Sequence, residues 1–185
     1  YQALIESWQM KLELAKLEGN AVYLATVKEK RKSLGHTAAE LAKMRKRTAV
    51  AKAPFVAKRI IELSEEGKSK IVVFAHHHEV IDILIKDLQA AGLRTGRMDG
   101  RDNMTARQQV ADDFQEGKID VVIGGFRPAG TGWTLTRGTI TVFAELDWVP
   151  GNMTQCEDRE HRINDPHPIY IEHVVLEVSL DEWMA

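Results

Sequence analysis

Gln155, Arg159 and Arg162 stand at i, i+4 and i+7 in the stretch from Gln155 to Arg162. On a helix that spacing brings one amide and two guanidiniums to a single face. Two bidentate forks aimed the same way suit a polyphosphate whose charge builds during transfer. The plainer alternative is a solvated helix face, with Asp158 and Arg162 as an i, i+4 pair worth only about 0.3–0.5 kcal/mol. Spacing alone leaves both readings open.

Three further segments could carry chemistry. Gly124 and Gly125 lead into Phe126-Arg127-Pro128-Ala129-Gly130-Thr131-Gly132-Trp133. Glycines admit a phosphate or sugar close to the backbone, and successive amides can form an anion nest; a tight strand-to-helix turn is the plain alternative. His76-His77-His78 follow an apolar run. Adjacent side chains point in different directions and rarely converge on one ion, so contact with a backbone phosphate is the better functional reading and loop polarity the commonest alternative. Glu145 and Asp147 could hold magnesium, although nothing else in the sequence supports that. Gly67-Lys68-Ser69 imitates the end of a phosphate-binding P-loop, but Glu62 stands where the pattern needs glycine, and the tripeptide ends a helix and leads into a strand.

These residues need elements to position them. Leu4, Ile5, Trp8, Leu12 and Ala15 predict a first helix ending at Gly19-Asn20, while Val22-Tyr23-Leu24 fits strand or helix. Thr37 and Glu40 fit a capping box opening a helix with Leu41, Met44, Thr48 and Ala51 on one face and Lys43, Lys46 and Arg47 opposite. Pro54 is expected to interrupt that helix and start another, with Val56, Ile60 and Leu63 inward and Gly67 as the stop.

From residue 71 strands and helices alternate. Ile71-Val72-Val73-Phe74-Ala75 reads as a parallel strand buried on both faces. Ile81, Leu84, Ile85 and Leu88 give a helix closed by Gly92, and a strand near 94–98 ends at Asp99-Gly100. Met104, Ala111 and Phe114 line a helix closed by Gly117. Strands over 120–124 and 140–145, a helix over 152–163 and an alternating run over 169–176 complete the pattern. The expected fold is α/β: a doubly wound parallel sheet over 67–185, with a helical N-terminal extension over 1–66 packing on it.

At 185 residues the chain has the size of one domain, with 44% hydrophobic and 28% charged residues. No apolar run approaches the roughly 20 residues of a membrane span, and the opening residues lack a secretory pattern. The lone Cys156 excludes an internal disulfide. The expectation is a soluble intracellular protein, in the bacterial cytoplasm or nucleoid or in a nucleus. The absent initiator Met and the capping box Ser179–Glu182, three residues from the end, suggest a fragment of a longer protein. The net charge of −2 argues against a nucleic-acid partner until it is divided. Residues 28–59 hold eleven Lys/Arg against Glu29 and Glu40, which suggests one face meant for an anion, with a solvated helix as the alternative.

The motifs in their order resemble the second RecA-like lobe of superfamily 2 DNA translocases of the SWI/SNF type. IVVFAHHHEVIDIL is similar to the fourth helicase motif and RMDGRDNMTARQQVADDFQEG to the strand-turn-helix that follows it. AGTGWTLT resembles the fifth, and VFAELDWVPGNMTQCEDREHRI a tryptophan-proline segment running into the sixth. The resemblance covers roughly 40–177, and its wording is nearest the HARP-like annealing-helicase branch and bacterial relatives. Departures are Ala129 for glycine, Thr134 for asparagine, and Asn164-Asp165 for Gly-Gln.

The resemblance implies a RecA-like fold and a role as the second ATPase lobe of an ATP-dependent double-stranded DNA translocase. Arg159 and Arg162 become arginine fingers for ATP and magnesium held mainly by a first lobe. Gly130, Gly132 and Gln155 fall at the nucleotide side, while His76, His77, Arg101, Thr131 and Trp133 face the DNA backbone. Implied partners are double-stranded or branched DNA and the N-terminal RecA-like lobe, with no membrane and no metal held by this chain's own residues. The chain carries no Walker motif, so alone it is expected to be inactive. Other readings are a non-enzymatic DNA- or protein-binding module of RecA-like shape and a magnesium-dependent phosphotransferase using Glu145 and Asp147.

Overall fold

The structure, a computed structural model, describes residues 21–67, 70–126, 135–157, 169–177, 179 and 181, with side chains from residue 38 onward except that of Pro150. The chain divides into two compact units, with the boundary between Arg45 and Lys46. In the first unit the described residues are helical from Ala21. The second is built around the sheet.

Helix α1 spans Ala21–Glu65 without a break and contains Pro54. The expected restart at Thr37 and the interruption at Pro54 are therefore absent, and Val22-Tyr23-Leu24 is helix. Proline removes one backbone hydrogen bond, a cost of about 3 kcal/mol in an exposed helix. Here Ala53, Val56, Ala57, Ile60 and Leu63 around and after it are buried, and tertiary packing outweighs local propensity. Val56, Ile60 and Leu63 face inward as expected, but before Pro54 the register differs: Ala49 is buried, whereas Met44 and Ala51 are exposed. Alanines let the helix approach the sheet closely, so the larger apolar residues misidentify the face.

The core sheet has five parallel strands: β1 (Ile71–Ala75), β2 (Thr95–Met98), β3 (Val121–Gly125), β4 (Ile140–Phe143) and β5 (Tyr170–His173), in the order β2-β3-β1-β4-β5. Val73 of β1 lies between Ile123 of β3 and Val142 of β4. Helix α2 (His78–Ala90) follows β1, α3 (Met104–Gln115) follows β2, and α4 (Pro150–Glu157) follows β4. The five β1 residues are all buried, as a strand covered on both faces requires.

Alternation along the strands divides the core in two. Ile71, Val73, Val121, Ile123, Ile140 and Val142 pack with the buried residues of α1 and with Val80, Ile81, Leu84 and Leu88 of α2. Val72, Phe74, Val122 and Phe143 point the other way, toward Ala111 and Phe114 of α3, Cys156 of α4, and Leu135 in the loop before β4. Phe143 stacks with Phe74 at 5.5 Å and with the ring of His173 at 4.9 Å. Met104, expected in the core, is 58% exposed because it begins α3 before that helix meets the sheet. The stops at Gly67, Gly92 and Gly117 have φ of 82 to 85°, where only glycine is unstrained.

One glycine is fixed by packing instead. A Cβ on Gly96 of β2 would lie 2.5 Å from Val110 Cγ1 and 2.8 Å from Ile119 Cδ1. Gly96→Ala should therefore destabilise the lobe by about 1–3 kcal/mol through overpacking, read as a lower thermal midpoint. An unchanged midpoint would contradict the close approach of α3 to β2.

Candidate nucleotide and nucleic-acid interface at the carboxyl rim

Neighbouring strands β1 and β4 send their connections in opposite directions, β1 toward β2 and β4 toward β5. At such a switch point the two connections part and leave a crevice at the carboxyl ends of the strands. His76 and His77 follow β1 there, and Glu145 closely follows β4.

The two segments are joined through Glu145, which is 2% exposed. Its Oε2 accepts the backbone N–H of His76 and that of His77, both at 2.8 Å. Its Oε1 lies 2.6 Å from Nδ1 of His77. Burial alone would raise the pKa of this carboxyl, but the ring and amide bonds from His77, with the His76 amide, outweigh it and hold the group below its ordinary range. An ionised carboxylate only accepts, so Nδ1 of His77 carries the proton. His76 is exposed and packs edge-to-face on the His77 ring at 4.9 Å. The carbonyl of His77 accepts from Val80 and Ile81, which opens α2.

Arg101 lies on the same rim, after β2, and its guanidinium is already engaged. It donates to both oxygens of Asp82 on α2 at 2.8 Å and to Asp99 at 2.6 Å. Arg97 forms a second fork on Asp102, and Asn103 caps α3 by accepting the Ala106 amide at 2.8 Å. A DNA phosphate would have to compete with two carboxylates for Arg101. For Asp99, burial pushes the pKa up, yet the Arg101 bonds and the two nearby guanidiniums bring it below the ordinary 3.8. Asp102 is lowered chiefly by the bond from Arg97, and Asp82 chiefly by that from Arg101.

Glu145 and Asp147, the carboxylates that by sequence could hold magnesium, have other partners. Both oxygens of Glu145 face the histidine segment, while Asp147 accepts the Val149 amide at 2.9 Å and the Asn152 side chain at 3.1 Å. Asp147 thus fixes the turn into α4, whose first residue is Pro150. Among the described residues no group of three or more His, Cys, Asp or Glu is disposed to hold a metal. On α4, Gln155 is exposed and Cys156 is buried. Trp148 and Val149 are exposed on the rim. Arg159, Arg162, Gly130, Thr131, Gly132 and Trp133 lie outside the described residues; Phe126 and Leu135, flanking the glycine segment, are both buried.

Four of the eleven basic residues in the 28–59 stretch pair with acids among the described residues. Lys46 pairs with Glu79 at 2.7 Å, Lys58 lies 4.0 Å from Glu62, and Arg59 forks onto Glu172 of β5 at 2.5 and 3.0 Å. Lys52, buried, bonds to Asp181 and to the Val174 carbonyl. Lys46, Lys52 and Arg59 are not a free anion-binding face, because the fold brings the distant acids Glu79, Asp181 and Glu172 to them; Lys58 remains exposed beside Glu62 of its own helix. Sequence reasoning also missed Glu145 and Asp82 as partners. The signal for Glu145 was an acid enclosed by Val142-Phe143-Ala144 and Leu146, where burial demands a partner. Asp82 gave no comparable signal.

The five-stranded parallel sheet, with helices on both faces and its polar loops on one rim, defines a RecA-like lobe. The chain belongs to the helicase conserved C-terminal domain family, which matches residues 53–164. The Xenopus laevis SWI/SNF-related matrix-associated actin-dependent regulator of chromatin subfamily A-like protein 1 is 37% identical over 139 residues, 75% of this chain and 14% of that protein. The Bos taurus DNA annealing helicase and endonuclease ZRANB3 is 34% identical over 145 residues, 78% of this chain and 14% of that protein. The C-terminal part of the Fun30 ATPase domain matches with a TM-score of 0.65 at 23% identity, over 71% of this chain and 42% of that one. The chain thus spans a small part of these relatives. The resemblance to SWI/SNF-type proteins and the RecA-like fold both hold. No helix among the described residues is long and apolar enough to cross a membrane.

The depressed aspartates set a pH dependence. A carboxyl whose folded pKa lies below its unfolded value contributes stability above the unfolded value and loses it as pH falls through the folded one. Stability should therefore decline as pH drops below the ordinary aspartate value of 3.8. Asp99→Asn should weaken the lobe at pH 7 and flatten that acid limb, read by urea denaturation across pH 7 to 2. An identical acid limb in the variant would contradict the Asp99–Arg101 pairing.

Proposed function

We propose that this chain is the second ATPase lobe of a SWI/SNF-type, ATP-dependent translocase of double-stranded DNA. The observation that carries the proposal is the switch-point rim. The exposed His76 and helix α4, which leads in sequence to Arg159 and Arg162, both start there. Family membership and the SWI/SNF-related relatives add support.

In this reading ATP and magnesium are held mainly by an N-terminal RecA-like lobe. The donor set of this chain fits that division: Glu145 and Asp147 are engaged internally, and the sequence has no P-loop. This lobe adds positive charge, with Arg159 and Arg162 reaching the γ-phosphate when the lobes close. Gln155, Gly130 and Gly132 border the nucleotide. His76, His77, Thr131 and Trp133 meet the backbone of duplex or branched DNA, and Arg101 joins them only where phosphate displaces a carboxylate. Such contacts are independent of sequence. Cycles of closure and release then move one lobe along the duplex.

The test is DNA-stimulated ATP hydrolysis by the protein carrying both lobes. Arg159→Ala and Arg162→Ala should each lower the stimulated rate by roughly 10³-fold or more. Unchanged rates in both would contradict the arginine-finger assignment. The chain alone should hydrolyse no ATP, and DNA-dependent turnover by it would contradict the division of labour between lobes.

A further inference from the structure

A buried carboxylate is costly unless its lone pairs are used, and Glu145 meets three donors from one short segment, the amides of His76 and His77 and the ring of His77. His77 is the N-cap of α2, in an extended conformation, yet its side chain makes no capping bond to that helix. Its ring is held from the end of β4 instead. The exposed His76 ring then packs edge-to-face on the His77 ring, so the orientation of His76 follows that of His77. Two residues beyond Glu145, Asp147 fixes the turn into α4. The strand end that orients the histidines therefore also launches the helix that bears Gln155.

We propose that Glu145 is a positioning residue that holds His77, and through it His76, in the geometry that meets a nucleic-acid backbone phosphate. It touches neither phosphate nor nucleotide and acts by fixing the ring tautomer and the backbone of the histidine segment. The inference rests on the DNA-translocase reading and adds to it a residue outside the set that faces the DNA.

The experiment uses the two-lobe protein with a duplex of random sequence, and reads the DNA concentration for half-maximal ATPase stimulation separately from the rate at saturating DNA. Glu145→Ala should raise the half-saturating concentration about tenfold while leaving the saturated rate within about twofold. His76→Ala should give a smaller rise, and the double variant little more than Glu145→Ala alone, because loss of Glu145 already releases His76 along with His77. Glu145→Gln can still accept both amides but presents its NH2 to Nδ1 and moves the ring proton, so it should give an intermediate rise. If Glu145→Ala does not fold, the cycle of Glu145→Gln with His76→Ala decides.

Independent, multiplying effects would overturn the inference, as would a loss of saturated rate with unchanged half-saturation, which a purely structural role predicts. A parent protein stimulated by DNA and inactivated by Arg159→Ala, but indifferent to Glu145 and His76 variants, refutes the positioning role alone. A parent without DNA stimulation refutes the translocase reading and this inference with it.

Discussion

A parallel sheet has to be covered on both faces, and in this chain that constraint decides where polar chemistry can be placed. Strand β1 has no solvent-facing residue, since alternate side chains enter one helical layer or the other. Along the inner strands only the ends remain for charged groups, while the edge strands β2 and β5 carry Arg97 and Glu172. At the amino ends, Lys70 bonds to the Ile119 carbonyl and Asp120, and Arg94 forks onto Asp120 at 2.6 and 2.8 Å. Those partners satisfy one another and hold the strand starts together. The carboxyl ends differ, because there the buried acids Glu145 and Asp99 bond to His77 and Arg101, while His76, Arg101 and Trp148 are exposed.

The second organising element is long-range charge pairing. Lys52 and Arg59 of α1 are linked to Asp181 and Glu172, more than 110 positions away in sequence. These bonds tie the helix that precedes the first strand to the last strand of the sheet and the residues after it. A net charge of −2 therefore reflects acids and bases segregated in sequence and partly reunited in space. Lys52 is the costliest member, because removal of Asp181 would leave a buried ammonium whose one other partner among the described residues is the Val174 carbonyl.

Much of the architecture was legible because period and punctuation are local properties. The apolar run at 71–75, the periodic Ile81, Leu84 and Leu88, and the stops at Gly67, Gly92 and Gly117 follow directly from residue type. The course of α1 was not, since Pro54 and Thr37 are local signals that tertiary burial overrides. Its buried face before Pro54 was misread for a related reason: alanines carry little hydrophobic signal yet permit the closest approach, whereas Val56, Ile60 and Leu63 were legible. In the site, the histidine segment and the glutamate were each visible, but their partnership depends on β1 and β4 being neighbours, which no spacing along the chain encodes. Arg101 was visible as a cation near a rim. Its two carboxylates come from α2 and from its own turn, so its engagement depends on how that helix lies over the turn.

The central claim is that function belongs to the carboxyl rim. Hydrogen–deuterium exchange of the two-lobe protein, with and without duplex DNA in the presence of a non-hydrolysable ATP analogue, tests it most directly. The account predicts added protection in the loops at 76–78 and 145–149, with the amino-end loops at 93–95 and 118–120 unchanged. Protection confined to the amino-end loops or to the outer side of α1, where Phe55 is 72% exposed, would contradict it.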